Sequence, residues 1–126
     1  MKIKLWIRQE FDAAHDLTGT FPPGHQCARL HGHRYEVKIT LAVDDDGQDV
    51  LVDYHDMHAG LSEELAQFDH RYINDVMEKP TTCENLARLL WRRLARRWPA
   101  LSEVEVQEQS NTGCVLSLTR RADEAP

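Results

Sequence analysis

The chain contains 126 residues, carries a formal net charge of −6, and is 41% hydrophobic and 29% charged. These values are typical of one soluble globular domain, and the acidic balance argues against a general affinity for nucleic acid. No apolar run in the sequence approaches the roughly 20 residues that a membrane-spanning helix needs. We predict a single domain over residues 1–120, followed by a polar tail over residues 121–126.

Two strands are predicted in the first third of the chain. Apolar and polar side chains alternate over residues 2–13, and a loop rich in glycine and proline follows. Residues 31–43 alternate again, with Tyr35, Val37 and Ile39 on one face and charged residues on the other. This alternation is typical of strands with one buried face.

Two helices are predicted in the middle of the chain. Residues 55–67 carry apolar side chains at spacings of four, as on one face of a helix. A second helix follows Pro80, where Thr81 and Glu84 have the spacing of a capping box. Its apolar stripe comprises Leu86, Leu90, Leu94 and Trp98, and Pro99 ends the run.

Two further strands are predicted near the C-terminus. Val104 and Val106 alternate with charged residues, residues 111–113 favour a turn, and Cys114 to Thr119 form a returning strand. The order is therefore strand, strand, helix, helix, strand, strand. It predicts an α+β fold, in which an antiparallel sheet carries both helices on one face.

Three histidines share the apolar faces of the first two strands. His31 and His33 are two residues apart, so their side chains point the same way and continue the face of Tyr35. His15 continues the inward face of the first strand. If these strands are neighbours, three imidazoles converge at one edge of the buried face, and such a set leaves the fourth position of a zinc ion open.

Cys27 lies four residues before His31, in the loop that leads to the second strand. Its thiol could be a fourth zinc ligand, which would close the site and make it structural. Alternatively, it could stay free beside the cation, where its pKa would fall and the thiolate could act as a base. Cys83 and Cys114 fit better as small buried hydrophobic residues.

Two further candidates carry ionisable side chains. Asp69 and His70 are adjacent, and such a pair can orient an imidazole, but neighbouring residues rarely hydrogen-bond each other well, so their spacing fits a loop Asp beside a helix-terminal His better. Glu108 extends the inward face of Val104 and Val106. A carboxylate there needs a partner or a ligand with hydrogen-bond donors, such as the guanidine-like edge of a pterin, unless the strand face slips near its end and exposes the side chain.

Taken together, five segments resemble the 6-pyruvoyl-tetrahydropterin synthase superfamily, in order over residues 1 to about 118. They are Phe11 to His15, Gly24 to His33, Asp69 to Asn74, Pro80 to Asn85, and Glu108. Within the superfamily, the spacing Cys-x3-His-Gly-His resembles the bacterial 6-carboxy-5,6,7,8-tetrahydropterin synthases of queuosine biosynthesis. Pyruvoyl-forming members usually have a longer gap between this cysteine and the histidines.

The resemblance implies a tunnelling fold: a four-stranded antiparallel sheet with two helices, which trimerises into a barrel and pairs into a hexamer with active sites between subunits. It also implies a zinc-dependent lyase that converts 7,8-dihydroneopterin triphosphate to 6-carboxy-5,6,7,8-tetrahydropterin, acetaldehyde and triphosphate. The implied roles are zinc binding by His15, His31 and His33, proton removal by Cys27, a relay through Asp69 and His70, and pterin binding by Glu108 with Thr81 or Thr82 of an adjacent subunit.

Other functions are compatible with the same residues. A pyruvoyl-forming synthase would use the same site, and a non-catalytic zinc module would use Cys27 as a fourth ligand. A pterin-binding protein without catalysis would not need Asp69 and His70. The odd number of cysteines and the absence of a visible secretion signal lead us to expect a cytoplasmic protein without disulfides.

Overall fold

The computed structural model describes residues 1–118, and four antiparallel strands form its single sheet. The strands are β1 (Lys2–His15), β2 (His31–Asp44), β3 (Leu101–Gln109) and β4 (Thr112–Ser117), and they lie in sequence order across the sheet. This arrangement confirms the predicted class and strand order. The predicted tail lies outside the described residues.

Two helices cover one face of the sheet. Helix α1 (Tyr54–Leu65) packs against β1, and α2 (Cys83–Arg97) packs against β3 and β4. Both contribute buried apolar side chains to one core, which they share with the inward face of the strands. Within the described part of the chain, neither helix is long and apolar enough to cross a membrane.

The alternation in the strands sets which side chains reach this core. Ile7, Phe11 and Ala13 of β1 are buried, whereas the residues between them are exposed or partly exposed. On β2, Tyr35 and Val37 are buried in the same way. The period of two therefore predicted the inward face correctly, and the histidines that continue it lie at one end of the core.

Three predicted boundaries are wrong by a few residues. Strand β1 extends past residue 13 to His15, because its pairing with β2 continues through Ala14 opposite Gly32 to His15 opposite His31. Helix α1 ends at Leu65, before the predicted end at residue 67. Strand β4 begins at Thr112, two residues before Cys114, and Thr119 lies outside the described residues.

The predicted capping box at the start of α2 is also wrong. The N-cap is Thr82, whose extended backbone precedes the helix and whose hydroxyl accepts a hydrogen bond from the Asn85 N–H at 3.2 Å. Thr81 is buried one residue earlier, and its side chain turns toward His15. At the other end, Trp98 is the C-cap and not a helical residue of the stripe.

Gly60 provides a test of how α1 meets the end of α2. A Cβ at this position would lie 2.5 Å from the Cη2 atom of Trp98 and 2.7 Å from the Cδ atom of Arg97. We expect Gly60→Ala to lower the free energy of unfolding by about 1–3 kcal/mol in urea titrations, because overpacking outweighs the better helix propensity of alanine. Ala59→Gly, on the exposed neighbour, reports the propensity effect alone. A Gly60→Ala protein more stable than wild type would contradict this packing.

Candidate metal and substrate site

The pairing of β1 with β2 brings the three predicted histidines together. His15 lies directly opposite His31, and His33 lies opposite Ala13 on the same face. The ring centroids are 4.5 Å apart for His15 and His31, 4.8 Å for His31 and His33, and 5.2 Å for His15 and His33. One ligand nitrogen from each ring lies within 4.8 Å of the other two. As predicted, the imidazoles converge at the end of the buried face.

Backbone carbonyls fix the orientation of two of these rings. The Nδ1 atom of His15 lies 2.8 Å from the carbonyl oxygen of Thr81, and the Nδ1 atom of His31 lies 2.6 Å from that of Arg29. A carbonyl oxygen can only accept a hydrogen bond, so both Nδ1 atoms must carry the proton. In each neutral ring, Nε2 is then an unprotonated nitrogen with a free lone pair. Second partners of this kind are typical of metal-binding histidines.

The remaining nitrogens need a partner that the described residues do not supply. The Nε2 atoms of His15 and His33 are buried and have no hydrogen-bond partner within residues 1–118. Buried polar atoms without partners are costly, and a metal ion would satisfy both at once. The residues present therefore fit a divalent metal.

The protonation state of the rings also suits a metal. Burial lowers the pKa of His15. Burial, together with the neighbouring His15 and His31 rings, lowers the pKa of His33 to about 4. Both rings are therefore neutral at neutral pH, which is the form that binds metal.

Glu108 lies beside this cluster. A register shift between Gln107 and Gln109 leaves Glu108 as the extra residue of a bulge in β3. Its carboxylate is 4.0 Å from the Nε2 atom of His33 and its side chain is only 21% exposed. Burial raises the pKa of this carboxyl group, and the nearby His31 opposes the effect. The predicted inward orientation is confirmed, and the carboxylate is available to a ligand with donors.

Asp69 and His70 lie in the turn after α1 and contact each other. The Nδ1 atom of His70 is 2.9 Å from Oδ1 of Asp69, a contact that their adjacency did not lead us to expect. The backbone of His70 has a positive φ of 58°, and its N–H donates to the carbonyl oxygen of Asp12 at 2.6 Å. His70 and His33 line the same open depression. Asp12 and Ala14, on the face of β1 opposite His15, also line this depression, and both side chains of the Asp69–His70 pair are exposed.

Cys27 lies in a short 3₁₀ turn (Gln26–Ala28) of the loop between β1 and β2. Its carbonyl oxygen accepts a hydrogen bond from the N–H of the buried Leu17 at 3.2 Å, which ties the loop to the end of β1. The thiol is free and half-buried. Within the described chain, the group able to hold a metal consists of the three histidines and does not include this cysteine.

The other two cysteines pack at the start of α2. Cys83 and Cys114 are half-buried and free, and they pack against the core as predicted for small hydrophobic side chains. The thiol of Cys83 donates to the carbonyl oxygen of Val106 at 3.1 Å. Burial raises the pKa of this thiol, which disfavours a reactive thiolate.

Comparison with known proteins identifies the family. Residues 4–118 match the family model described as 6-pyruvoyl tetrahydropterin synthase. The chain belongs to this family. It is 33% identical to the 6-carboxy-5,6,7,8-tetrahydropterin synthase of Synechocystis, over 82% of this chain and 87% of the relative. It is 26% identical to the dihydroneopterin monophosphate aldolase of Pyrococcus furiosus, over 79% of this chain and 81% of the relative.

Solved structures of the 6-pyruvoyl tetrahydropterin synthase family confirm the fold. The structure of the Caenorhabditis elegans 6-pyruvoyl tetrahydropterin synthase superposes with a TM-score of 0.82 at 20% identity, and the match covers 94% of this chain and 97% of that one. The predicted tunnelling fold is therefore correct for the subunit. The family match and the names of the relatives also confirm the prediction of an enzyme of the lyase class.

Several residues of the synthase site had no functional assignment from the sequence. Tyr35 is buried beneath His15 and His33, stacks on Phe11 with ring centroids 4.9 Å apart, and has a hydroxyl without a partner among residues 1–118. Asn74 links the chain beyond His15 to Thr81. The contact of Asn74 with Asp16 joins residues 58 positions apart, so periodicity within single elements could not reveal it.

Proposed function

We propose that this protein is a zinc-dependent lyase that converts 7,8-dihydroneopterin triphosphate to 6-carboxy-5,6,7,8-tetrahydropterin, acetaldehyde and triphosphate, in queuosine and 7-deazapurine biosynthesis. The observation that carries the proposal is the cluster of His15, His31 and His33, in which two buried Nε2 atoms lack partners among residues 1–118 and the Glu108 carboxylate lies 4.0 Å from Nε2 of His33. A metal bound by these histidines could contact the hydroxyl groups of a polar substrate. The half-buried carboxylate beside it could accept hydrogen bonds from ring N–H donors of the same substrate. The family membership and the Synechocystis relative support the reaction.

The metal would be held by His15, His31 and His33 through nitrogen. Three imidazole ligands, with the fourth coordination position of the metal left open, favour zinc. When bound, the ion supplies a Lewis acid that stabilises negative charge on substrate oxygens. The carbonyl groups of Thr81 and Arg29 keep two of the rings in the orientation that leaves Nε2 free.

Proton transfer is assigned to the residues around the cluster. Cys27 would remove a proton from the side chain of the substrate, with its thiol free in the loop before β2. Asp69 would orient His70 through the 2.9 Å contact, and His70 would carry the proton to solvent from the depression that it shares with His33. The three groups then act on a substrate held at the open side of the cluster.

Glu108 is assigned to the pterin ring. Its half-buried carboxylate can accept two hydrogen bonds from the N2 and N3 edge of a pterin, and such charge-assisted pairs are stronger than neutral ones. We propose that Thr81 or Thr82 of an adjacent subunit completes the pocket, Thr81 through its backbone because its side chain is buried against His15 and Asn74 of its own subunit. The sites would then form between subunits of a hexamer built as a dimer of trimers, acting in the cytoplasm.

The test of the reaction is product analysis by mass spectrometry after incubation with 7,8-dihydroneopterin triphosphate. Carboxytetrahydropterin, acetaldehyde and triphosphate are expected. Triphosphate release with a pyruvoyl product would assign the pyruvoyl-forming reaction, and an aldol cleavage of the dihydropterin would assign the reaction named for the Pyrococcus relative. No conversion, with metal tightly bound, would favour a non-catalytic metal module.

Glu108→Gln tests the anchoring role. We expect kcat/KM to fall by about 10-fold to 100-fold, since a hydrogen bond to a charged group contributes about 1.5–3 kcal/mol, while metal content stays unchanged. Glu105→Gln, on the opposite face of β3, is the matched control and should behave as wild type. An unchanged kcat/KM for Glu108→Gln would contradict the assignment.

A further inference from the structure

One segment after α1 pairs with the free edge of β1 near the histidine cluster. The N–H of His70 donates to the carbonyl oxygen of Asp12 at 2.6 Å, and the N–H of Ala14 donates to the carbonyl oxygen of Arg71 at 3.1 Å. The next even-numbered position of the chain is Asp16, one residue beyond the strand. Among the described residues, the backbone of Asp16 hydrogen-bonds to the side chain of Asn74 and not to another backbone group.

The side-chain amide of Asn74 takes the place of a peptide group in the pairing with Asp16. Its Oδ1 atom accepts from the N–H of Asp16 at 3.1 Å, and its Nδ2 group donates to the carbonyl oxygen of Asp16 at 3.0 Å. A carboxamide is the side chain that offers a donor and an acceptor in this arrangement, as a peptide group does. The residue that directly follows His15 is therefore held on both its N–H and its carbonyl group.

The same amide oxygen accepts a second hydrogen bond. The hydroxyl of Thr81 donates to Oδ1 of Asn74 at 3.2 Å, and the side chain of Thr81 is almost fully buried. Because the hydroxyl proton points to Asn74, the lone pairs of Thr81 Oγ1 face His15, whose Nδ1 lies 3.3 Å away. The Thr81 carbonyl oxygen accepts the stronger bond from Nδ1, at 2.8 Å.

These bonds form a closed ring of polar groups through His15, Asp16, Asn74 and Thr81. Nδ1 of His15 is engaged by the carbonyl oxygen and the hydroxyl oxygen of Thr81, so Nε2 is the one nitrogen of this side chain that points elsewhere. Tyr72 also contacts this network of hydrogen bonds, since its hydroxyl donates to the carboxylate of Asp16. This bond lowers the pKa of Asp16 and keeps the carboxylate charged.

We propose that Asn74 and Thr81 are positioning residues of the metal site, which hold the His15 ring in the tautomer and orientation that presents Nε2 to a divalent metal. The inference rests on the metal site of the proposed function and extends it to groups that do not touch the metal. Partners of this outer kind commonly change metal affinity by about 10-fold to 100-fold when they are removed.

The test measures metal affinity and not turnover. Cobalt(II) is titrated into the metal-free full-length protein, its dissociation constant is determined by competition with a chromophoric chelator, and the visible absorption of the bound ion reports the coordination geometry. Circular dichroism and thermal melting of the metal-free form report the fold separately. Thr81→Val and Thr81→Ser form a matched pair, because only the serine keeps the hydroxyl and both keep the carbonyl group.

We expect Thr81→Val to raise the cobalt dissociation constant by about 10-fold and Asn74→Ala by up to about 100-fold, with an altered visible spectrum in both. Thr81→Ser should restore the wild-type value, and Asn111→Ala, in the exposed turn before β4, should not change it. If Asn74→Ala fails to fold, the Thr81 pair decides the question, since Asn74 keeps both bonds to Asp16 in these variants.

The outcomes separate this inference from the proposed function. A Thr81→Val protein with wild-type affinity and spectrum overturns the positioning role, while the metal site and the reaction stand. Equal losses in Thr81→Val and Thr81→Ser also overturn it, because the hydroxyl would then not matter. Absence of cobalt binding by the wild type overturns the metal site itself, and the inference with it.

Discussion

Replacing His33 by alanine is expected to abolish metal binding and turnover together while the protein stays folded. Two imidazoles remain, and the affinity should fall by more than the roughly 10-fold to 100-fold that follows the loss of an outer partner. The fold should persist because the Nε2 atom of His33 makes no hydrogen bond within the described residues, so its removal leaves no group unpaired. Metal content after dialysis, far-UV circular dichroism and product formation are the measurements.

His55→Ala is the matched control for this change. His55 is an exposed residue in the first turn of α1, and it lies outside the histidine cluster. Its variant should retain wild-type metal content and activity. If His33→Ala binds metal as wild type does, the cluster is not the metal site, and the three imidazoles are structural.

Replacing Cys27 by alanine is expected to have the opposite pattern. The metal should remain, because the potential ligand group contains only the three histidines in the described chain. Turnover should fall by about 10²-fold to 10⁴-fold, the contribution that a positioned general base typically makes. Metal content and single-turnover rates are measured on the same preparation.

Cys114→Ala is the control for a general effect of thiol removal. Cys114 is half-buried on β4, its sulfur lies 3.2 Å from that of Cys83, and it is not part of the group of three histidines in the described chain. This variant should keep both metal and activity. Loss of metal from Cys27→Ala would contradict the catalytic role and would indicate a closed, structural site of four ligands.

The sequence predicted the sheet and the histidine cluster because both depend on a period of two. His31 and His33 share a face with Tyr35 by parity alone, and His15 shares one with Phe11. What the pattern did not contain was the pairing of β1 with β2, which places His15 opposite His31. That pairing required the assumption that consecutive strands are neighbours, and the structure confirms it.

Features that depend on contacts between distant segments were not predictable in this way. The capping box failed because Thr81 and Thr82 compete for one position, and the bond from Thr81 to Asn74 decides between them. The bulge that leaves Glu108 unpaired depends on the register of β3 with β4. The extension of β1 to His15 likewise depends on its pairing with β2, which places His15 opposite His31.

The central claim is an open metal site made by three imidazoles. X-ray absorption at the zinc edge of the zinc-loaded wild-type protein tests it most directly. We expect nitrogen and oxygen ligands at about 2.0–2.1 Å with no sulfur, and imidazole scattering from His15, His31 and His33. A sulfur ligand at about 2.3 Å would place Cys27 on the metal and contradict the account.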